Sequence, residues 1–126
     1  MTTSDRCPCG SGRTYDGCCG RLHRGEAQAR TADELMRSRF SAFALRDEDY
    51  LRASWDPTTC PPRIRLDPDR RWTALEIVAT TGGGMLDREG TVEYLAHHEH
   101  GDLEGVLHET SHFRRHEGRW VYVGPA

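Results

Sequence analysis

The sequence predicts an α+β fold, with two or three helices leading into an antiparallel sheet of four to five strands and a small metal-binding knuckle ahead of them. Three observations carry this expectation. Four of the five cysteines fall between positions 7 and 19. Apolar residues recur at helical spacing from Leu35 to Ala44, and beyond Arg63 the period changes to alternation broken by glycine-containing turns. Helices first and strands afterwards is the order of a domain whose helices pack on one sheet face.

A chain of 126 residues is enough for one core and a small appendage. The organisation expected is a knuckle over residues 1–22 and an α+β domain over 23–126. With 17 basic and 20 acidic residues the formal charge is −3, and a divalent metal on four thiolates would make it about −5. That balance lacks the electrostatic footprint of a nucleic-acid binder. Met1 to Asp5 carries no basic or apolar leader and no run reaches the ~18 apolar residues of a membrane span. The expectation is a cytoplasmic protein without a membrane partner.

Cys7, Cys9, Cys18 and Cys19 form the pattern C-x-C-x8-C-C. Four thiolates at the two ends of one short loop satisfy a closed tetrahedral zinc site, so zinc is the expected cofactor. Pro8 stiffens the first pair, and Gly10, Gly12 and Gly17 permit a tight turn. Arg6, Arg13 and Arg21 are placed to offset the net negative charge of such a centre. Adjacent Cys18 and Cys19 cannot easily bridge each other, and a reducing compartment argues against disulfides. A closed shell leaves no open position for catalysis.

The segment resembles the SEC-C motif in its C-P-C-G-S-G, Tyr15 and C-C-G. That module also stands at the C-terminal end of the SecA translocation ATPase, where it contacts a chaperone and the ribosome with help from basic residues. The resemblance implies a protein partner at the knuckle, although Thr14 and Asp16 leave Arg13 as the one basic residue inside this loop.

Downstream, Leu22 to Arg30 is polar, is broken by Gly25 and reads as a linker, with His23 a solvated side chain. Thr31 followed by Glu34 is a capping box that opens a helix. Its core stripe is Leu35, Met36, Phe40, Phe43 and Ala44, with Ser38, Arg39 and Arg46 directed elsewhere. Asp47 is expected to cap a second helix over Glu48 to Trp55, ended by Asp56-Pro57. Ile64 and Leu66 suggest a short edge strand. Trp72 to Thr81, Thr91 to His98, Leu103 to Arg115 and Arg119 to Val123 alternate as strands. The run Gly82-Gly83-Gly84 is a turn, since no G-K-[ST] of a phosphate loop follows it.

Leu35-Met36-Arg37-Ser38-Arg39-Phe40-Ser41-Ala42-Phe43, Trp55-x-Pro57, Leu107-His108-Glu109-x-Ser111-x-Phe113 and Gly118-Arg119-Trp120-x-Tyr122 together resemble the YchJ family. The likeness runs over nearly the whole chain and implies a nuclear-transport-factor-2-like domain, a cone of helices on a curved sheet, behind the SEC-C motif. Folds of this kind host enzymes, binders and interaction modules, so the fold alone does not choose among them.

Outside the knuckle, Glu109 shares strand parity with Leu107 and Phe113 and so faces the core, where a carboxylate needs a partner. Arg37 is the candidate. The pair reads either as an ion pair tying helix to sheet or, with Trp55, as part of a pocket for a small-molecule ligand. His97, His98 and His100, like His108 and His112, read as solvated residues, and Cys60 as an incidental thiol. No nucleophile–base constellation is visible. A zinc-containing interaction protein is therefore favoured, the alternatives being a pocket binder or enzyme, and zinc handling.

Overall fold

The computed structural model describes residues 5–126, so positions 1–4 of the expected knuckle lie outside the described residues. Helices α1 (Cys19–His23), α2 (Ala32–Leu45) and α3 (Glu48–Ala53) precede strands β1 (Arg70–Gly82), β2 (Glu89–His100), β3 (Leu103–His116) and β4 (Arg119–Pro125). The strands form one sheet in the order β1-β2-β3-β4, with every neighbouring pair antiparallel.

Local chemistry sets the helix ends. Thr31 is extended (φ −139°) and its hydroxyl accepts the Glu34 N–H at 3.1 Å, satisfying one of the free donors of the first turn of α2. Arg46 ends that helix in the left-handed region at φ 57°. Its guanidinium donates to the carbonyls of Pro68 and Arg70 at 2.6 and 3.2 Å, anchoring the loop before β1. Asp47 caps α3 by accepting the Tyr50 N–H at 3.0 Å.

The sheet is a meander. Glu117 and Gly118 join β3 to β4 with φ of 52° and 81°, the two positive values of a type I′ hairpin. Near the β1–β2 hairpin a Cβ on Gly83 would sit 2.8 Å from the Cβ of Ala32. Only glycine lets this turn approach α2 closely enough for Gly83 O to accept the Ala32 N–H at 2.9 Å.

Alternation along β2 buries Gly90, Val92, Tyr94 and Ala96. Val92, Tyr94 and Ala96 pack with Leu35, Met36 and Phe40 of α2 and with Phe113 of β3 and Trp120 of β4. A second cluster joins Ala42, Leu51 and Ile64 beneath the α2–α3 corner. After α3 the chain runs beside β4: Tyr122 N–H donates to Ser54 O at 2.9 Å and Asp56 N–H to Tyr122 O at 2.8 Å. This bridge gives the β4 edge hydrogen-bond partners.

Four expectations are corrected. No strand forms at Ile64 and Leu66; Ile64 is instead buried in the second cluster, and Pro61, Pro62 and Pro68 deny that segment ladder donors. The supposed linker begins inside α1, where Leu22 is buried. Helix α2 is also buried on more than one stripe, for Ser38, Arg39, Ser41 and Ala42 are all interior. They lie inside because α1 and α3 both pack on α2. The second helix stops at Ala53, two residues before the expected end at Trp55. Among the described residues no helix is long and apolar enough to cross a membrane.

A candidate metal centre and an adjacent cavity

The cysteine loop is built by backbone geometry before any metal is considered. Arg6 and Thr14 form an antiparallel bridge, and Cys7 N–H donates to Arg13 O at 2.9 Å, so the loop folds back on itself. Gly10 and Gly12 take φ of 81° and 85° at its tip, a region that side chains other than glycine rarely adopt. Tyr15 O then accepts from Cys18 N–H at 3.0 Å and Gly20 N–H at 2.8 Å, turning the chain into α1.

The result brings Cys7, Cys9, Cys18 and Cys19 together, with their sulfurs all within 4.8 Å of one another. All four are free thiols; Cys7, Cys9 and Cys19 are buried and Cys18 is partly so. The Cys9 and Cys18 sulfurs are 3.7 Å apart, close to the ~3.8 Å edge of a tetrahedron with Zn–S of ~2.3 Å. Their protonation is in conflict. The hydrogen bond from Cys19 holds the Cys7 thiol well below the ordinary range, and the reciprocal bond pushes Cys19 far above it. Crowded thiolates repel one another, and a divalent cation is what would let all four ionise together.

Dipoles and cations converge on the loop. Ser41 Oγ lies 3.4 Å from Cys7 Sγ and Ser11 Oγ 3.2 Å from Cys18 Sγ. Arg37 Nη1 donates to Cys9 O at 3.2 Å, and Arg21 Nε to Cys18 O, also at 3.2 Å. Arg6 Nη1 caps Gly12 O at 2.9 Å. Beside Cys18 and Cys19 lies a groove of about 240 Å³ whose rim carries Arg13, Arg21, Arg30 and Arg37. The lining also includes Asp33 and Glu34, so the arginines exceed the acidic residues there by two.

His23 is not solvated. Its side chain is 3% exposed and wedged between the knuckle and α2. Nε2 lies 2.8 Å from Ser38 O, and because a carbonyl only accepts, that nitrogen carries the proton. Nδ1 then accepts from the Tyr15 hydroxyl at 2.6 Å. Both ring nitrogens are occupied, so His23 is a strut and not a fifth ligand.

Arg37 does not reach Glu109. It pairs with Asp33 at 3.0 Å, one turn back on the same helix, and otherwise faces the knuckle. The residue that faces the sheet is Arg39, which lies about 200° around the helix from Arg37 at ~100° per residue. Arg39, Trp55 and Glu109 line one cavity of about 160 Å³ under α2, walled by Met36, Phe40, Phe43, Trp72 and Leu107 among others. Glu109 accepts hydrogen bonds from Tyr94 Oη at 2.9 Å and Ser111 Oγ at 3.0 Å, and these replace the expected arginine. The interior serines and alanine at 38, 41 and 42 were the available signal, since small residues on a supposedly solvated face mark close packing.

The sequence reading also missed Asp56, 1% exposed, which ion-pairs with Arg114 and accepts from Thr58 N and Oγ1 at 2.9 and 2.8 Å. The histidines of the sheet form surface pairs, His97 with Glu76 and His108 with Glu93, both at 2.6 Å, and His112 with Glu89 at 3.8 Å. His98 is the exception, stacked edge-on against Trp72 at 5.1 Å.

Comparison with known proteins gives the same two parts. Residues 31–125 match the model of the YchJ middle NTF2-like domain and residues 4–21 that of the SEC-C motif. A UPF0225 protein of Corynebacterium efficiens is 50% identical, covering 93% of this chain and 89% of its own length. One from Streptomyces coelicolor is 48% identical, covering 93% and 91%. The solution structure of a SEC-C motif containing protein from Rhodopseudomonas palustris superposes with a TM-score of 0.81 at 35% identity, covering 95% of this chain and 96% of that one. A crystal structure of such a protein from Psychrobacter arcticus gives 0.77 at 26% identity, covering 100% and 85%.

Proposed function

The chain belongs to the YchJ family, and from that premise we propose that it is a cytoplasmic zinc-binding interaction protein whose SEC-C knuckle presents a protein-contact surface. One observation carries the reading. Four thiols meet within 4.8 Å, on a loop docked by Arg37, Ser41 and His23 onto a buried helix. Zinc in such a set is structural, because a closed tetrahedral shell has no position for water or substrate.

What the metal stabilises is a surface. The groove beside Cys18 and Cys19 is lined by four arginines against Asp33 and Glu34, with Arg37 paired to Asp33, and the remaining excess of positive charge favours a partner segment carrying acidic side chains. Arg13 and Arg30 have no side-chain hydrogen bond or ion pair to other described residues, which leaves their guanidinium groups available.

Protein purified under reducing, chelator-free conditions should carry one zinc per chain by metal analysis, and the four-fold Cys→Ser variant none. An empty wild-type protein would sink the zinc assignment. Pull-downs with wild type, the four-fold variant and Arg13→Glu/Arg30→Glu then test the surface. Both variants should lose a shared partner while the arginine variant keeps its zinc; identical partner lists for all three would overturn the contact surface.

A further inference from the structure

We propose that the cavity between α2 and the sheet binds a small monocarboxylic acid with a compact, single-ring apolar body, its carboxylate paired with Arg39. The argument starts from a charge without a counter-charge. Arg39 is 2% exposed, and its two hydrogen bonds, to Leu51 O at 2.9 Å and Ser54 Oγ at 2.7 Å, both use Nη1. Among the described residues it enters no ion pair. Its guanidinium carbon sits 4.7 Å from the Trp55 ring and 4.4 Å from that of Tyr122. Such a sandwich offsets part of the desolvation cost but supplies no anion.

Burial lowers Arg39 to about 10, so it remains a cation at neutral pH. Elsewhere the molecule pairs its buried charge directly, as Asp56 with Arg114 shows. An unpaired interior guanidinium bordering an open cavity is therefore the feature that calls for a ligand.

The cavity decides the rest of the ligand. Its walls of Met36, Phe40, Phe43, Trp72 and Leu107 are apolar, and its volume is about 160 Å³. A dry cavity of ~150 Å³ accommodates benzene, so one ring or an equally compact chain fits and a larger body does not. Glu109 lies on the same wall, its Oε2 accepting from both Tyr94 and Ser111. An anionic group is disfavoured at the Glu109 end, so the cavity has one place for a carboxylate, beside Arg39.

Benzoate is the probe, with benzyl alcohol as its neutral counterpart of similar size. Nitrogen-15 NMR of the Trp55 and Trp72 indoles should show saturable shifts with benzoate, and a Kd at least ~10-fold weaker for benzyl alcohol. Ala96→Leu, which fills the cavity from β2 while leaving the Arg39 side chain in place, should abolish the benzoate shifts while the sheet amides stay dispersed. In Arg39→Met the preference for the acid should vanish. Absence of saturable benzoate binding, equal affinity for the two probes, or a preference that survives in folded Arg39→Met would each overturn the proposal. Should Arg39→Met fail to fold, the wild-type comparison and Ala96→Leu decide it.

Discussion

Removing the zinc proposed for the knuckle should loosen more than the loop that would hold it, and the structure gives the scale. Three hydrogen bonds join the knuckle and α1 to α2: Arg37 Nη1 to Cys9 O, Ser41 Oγ to Cys7 Sγ, and His23 Nε2 to Ser38 O. At about 1 kcal/mol net each, with about 2 kcal/mol for burying Leu22, docking stabilises the pair by roughly 5 kcal/mol. Structural zinc supplies about 10–16 kcal/mol in small peptides, so without it the docked loop cannot persist. The main core is a separate cluster that contains none of the cysteines. Hydrogen exchange with and without chelator should therefore show protection lost over residues 7–24, weakened over 37–41, and retained in β2 and β3 around Val92 to Ala96 and Glu109 to Phe113. Loss that stops at Cys19 would refute the docking estimate, and uniform loss through the sheet would refute the separation of the cores.

Two further outcomes follow from single side chains. Asp56→Ala deletes the acceptor for Thr58 N and Oγ1 and for Arg114, and should lower unfolding stability in urea by about 2–3 kcal/mol at pH 7, the low figure reflecting that Arg114 can rehydrate. The Arg114 hydrogen bond holds the Asp56 carboxyl well below its ordinary value, so its contribution is complete above the unfolded value of ~3.9 and fades as pH falls below it; the variant should show a shallower acid slope than wild type between about pH 4 and 2. Thr31→Ala removes the cap on Glu34 N–H and should cost about 1 kcal/mol, read as a shift in the urea midpoint at unchanged m-value.

Much of this architecture is visible in residue order because the signals are local. The capping pair Thr31 and Glu34, the alternation of β2 and the hairpin residues Glu117-Gly118 each act within a few positions, and each places its element within two residues of where it is found. The cysteine spacing is of the same kind, since the loop that gathers the sulfurs is closed by its own backbone. What could not be read was which neighbour covers each helix face. Periodicity assigns α2 one buried stripe and treats the remainder as solvated, whereas α1, α3 and the sheet enclose three sides of it. Arg39 and His23 were misplaced for that one reason. The same logic failed at Ile64, whose apolar side chain is buried by a loop packing on α2 and α3 and needs no strand to carry it there.

The placement of Arg37 and Arg39 shows why so polar a helix can be so buried. Two positions apart, they face opposite sides of α2, one serving the cysteine loop through Cys9 O and the other the cavity through Trp55 and Tyr122. Between them Ser38 accepts His23 through its carbonyl, while its hydroxyl lies 2.7 Å from Tyr50 Oη and donates to Leu35 O. One turn of helix thus serves the knuckle, α3 and the cavity wall at once, with Ser38 and the Arg37 guanidinium partnered within the protein and Arg39 left without a counter-charge beside the cavity. The short side chains at 38, 41 and 42 are what allow three elements to close on that turn, because a longer residue at any of them would hold the knuckle or α3 away. The cysteine cluster and the cavity accordingly share one helical wall without sharing a residue: Arg37 and Ser41 belong to the first, and Met36, Arg39, Phe40 and Phe43 to the second.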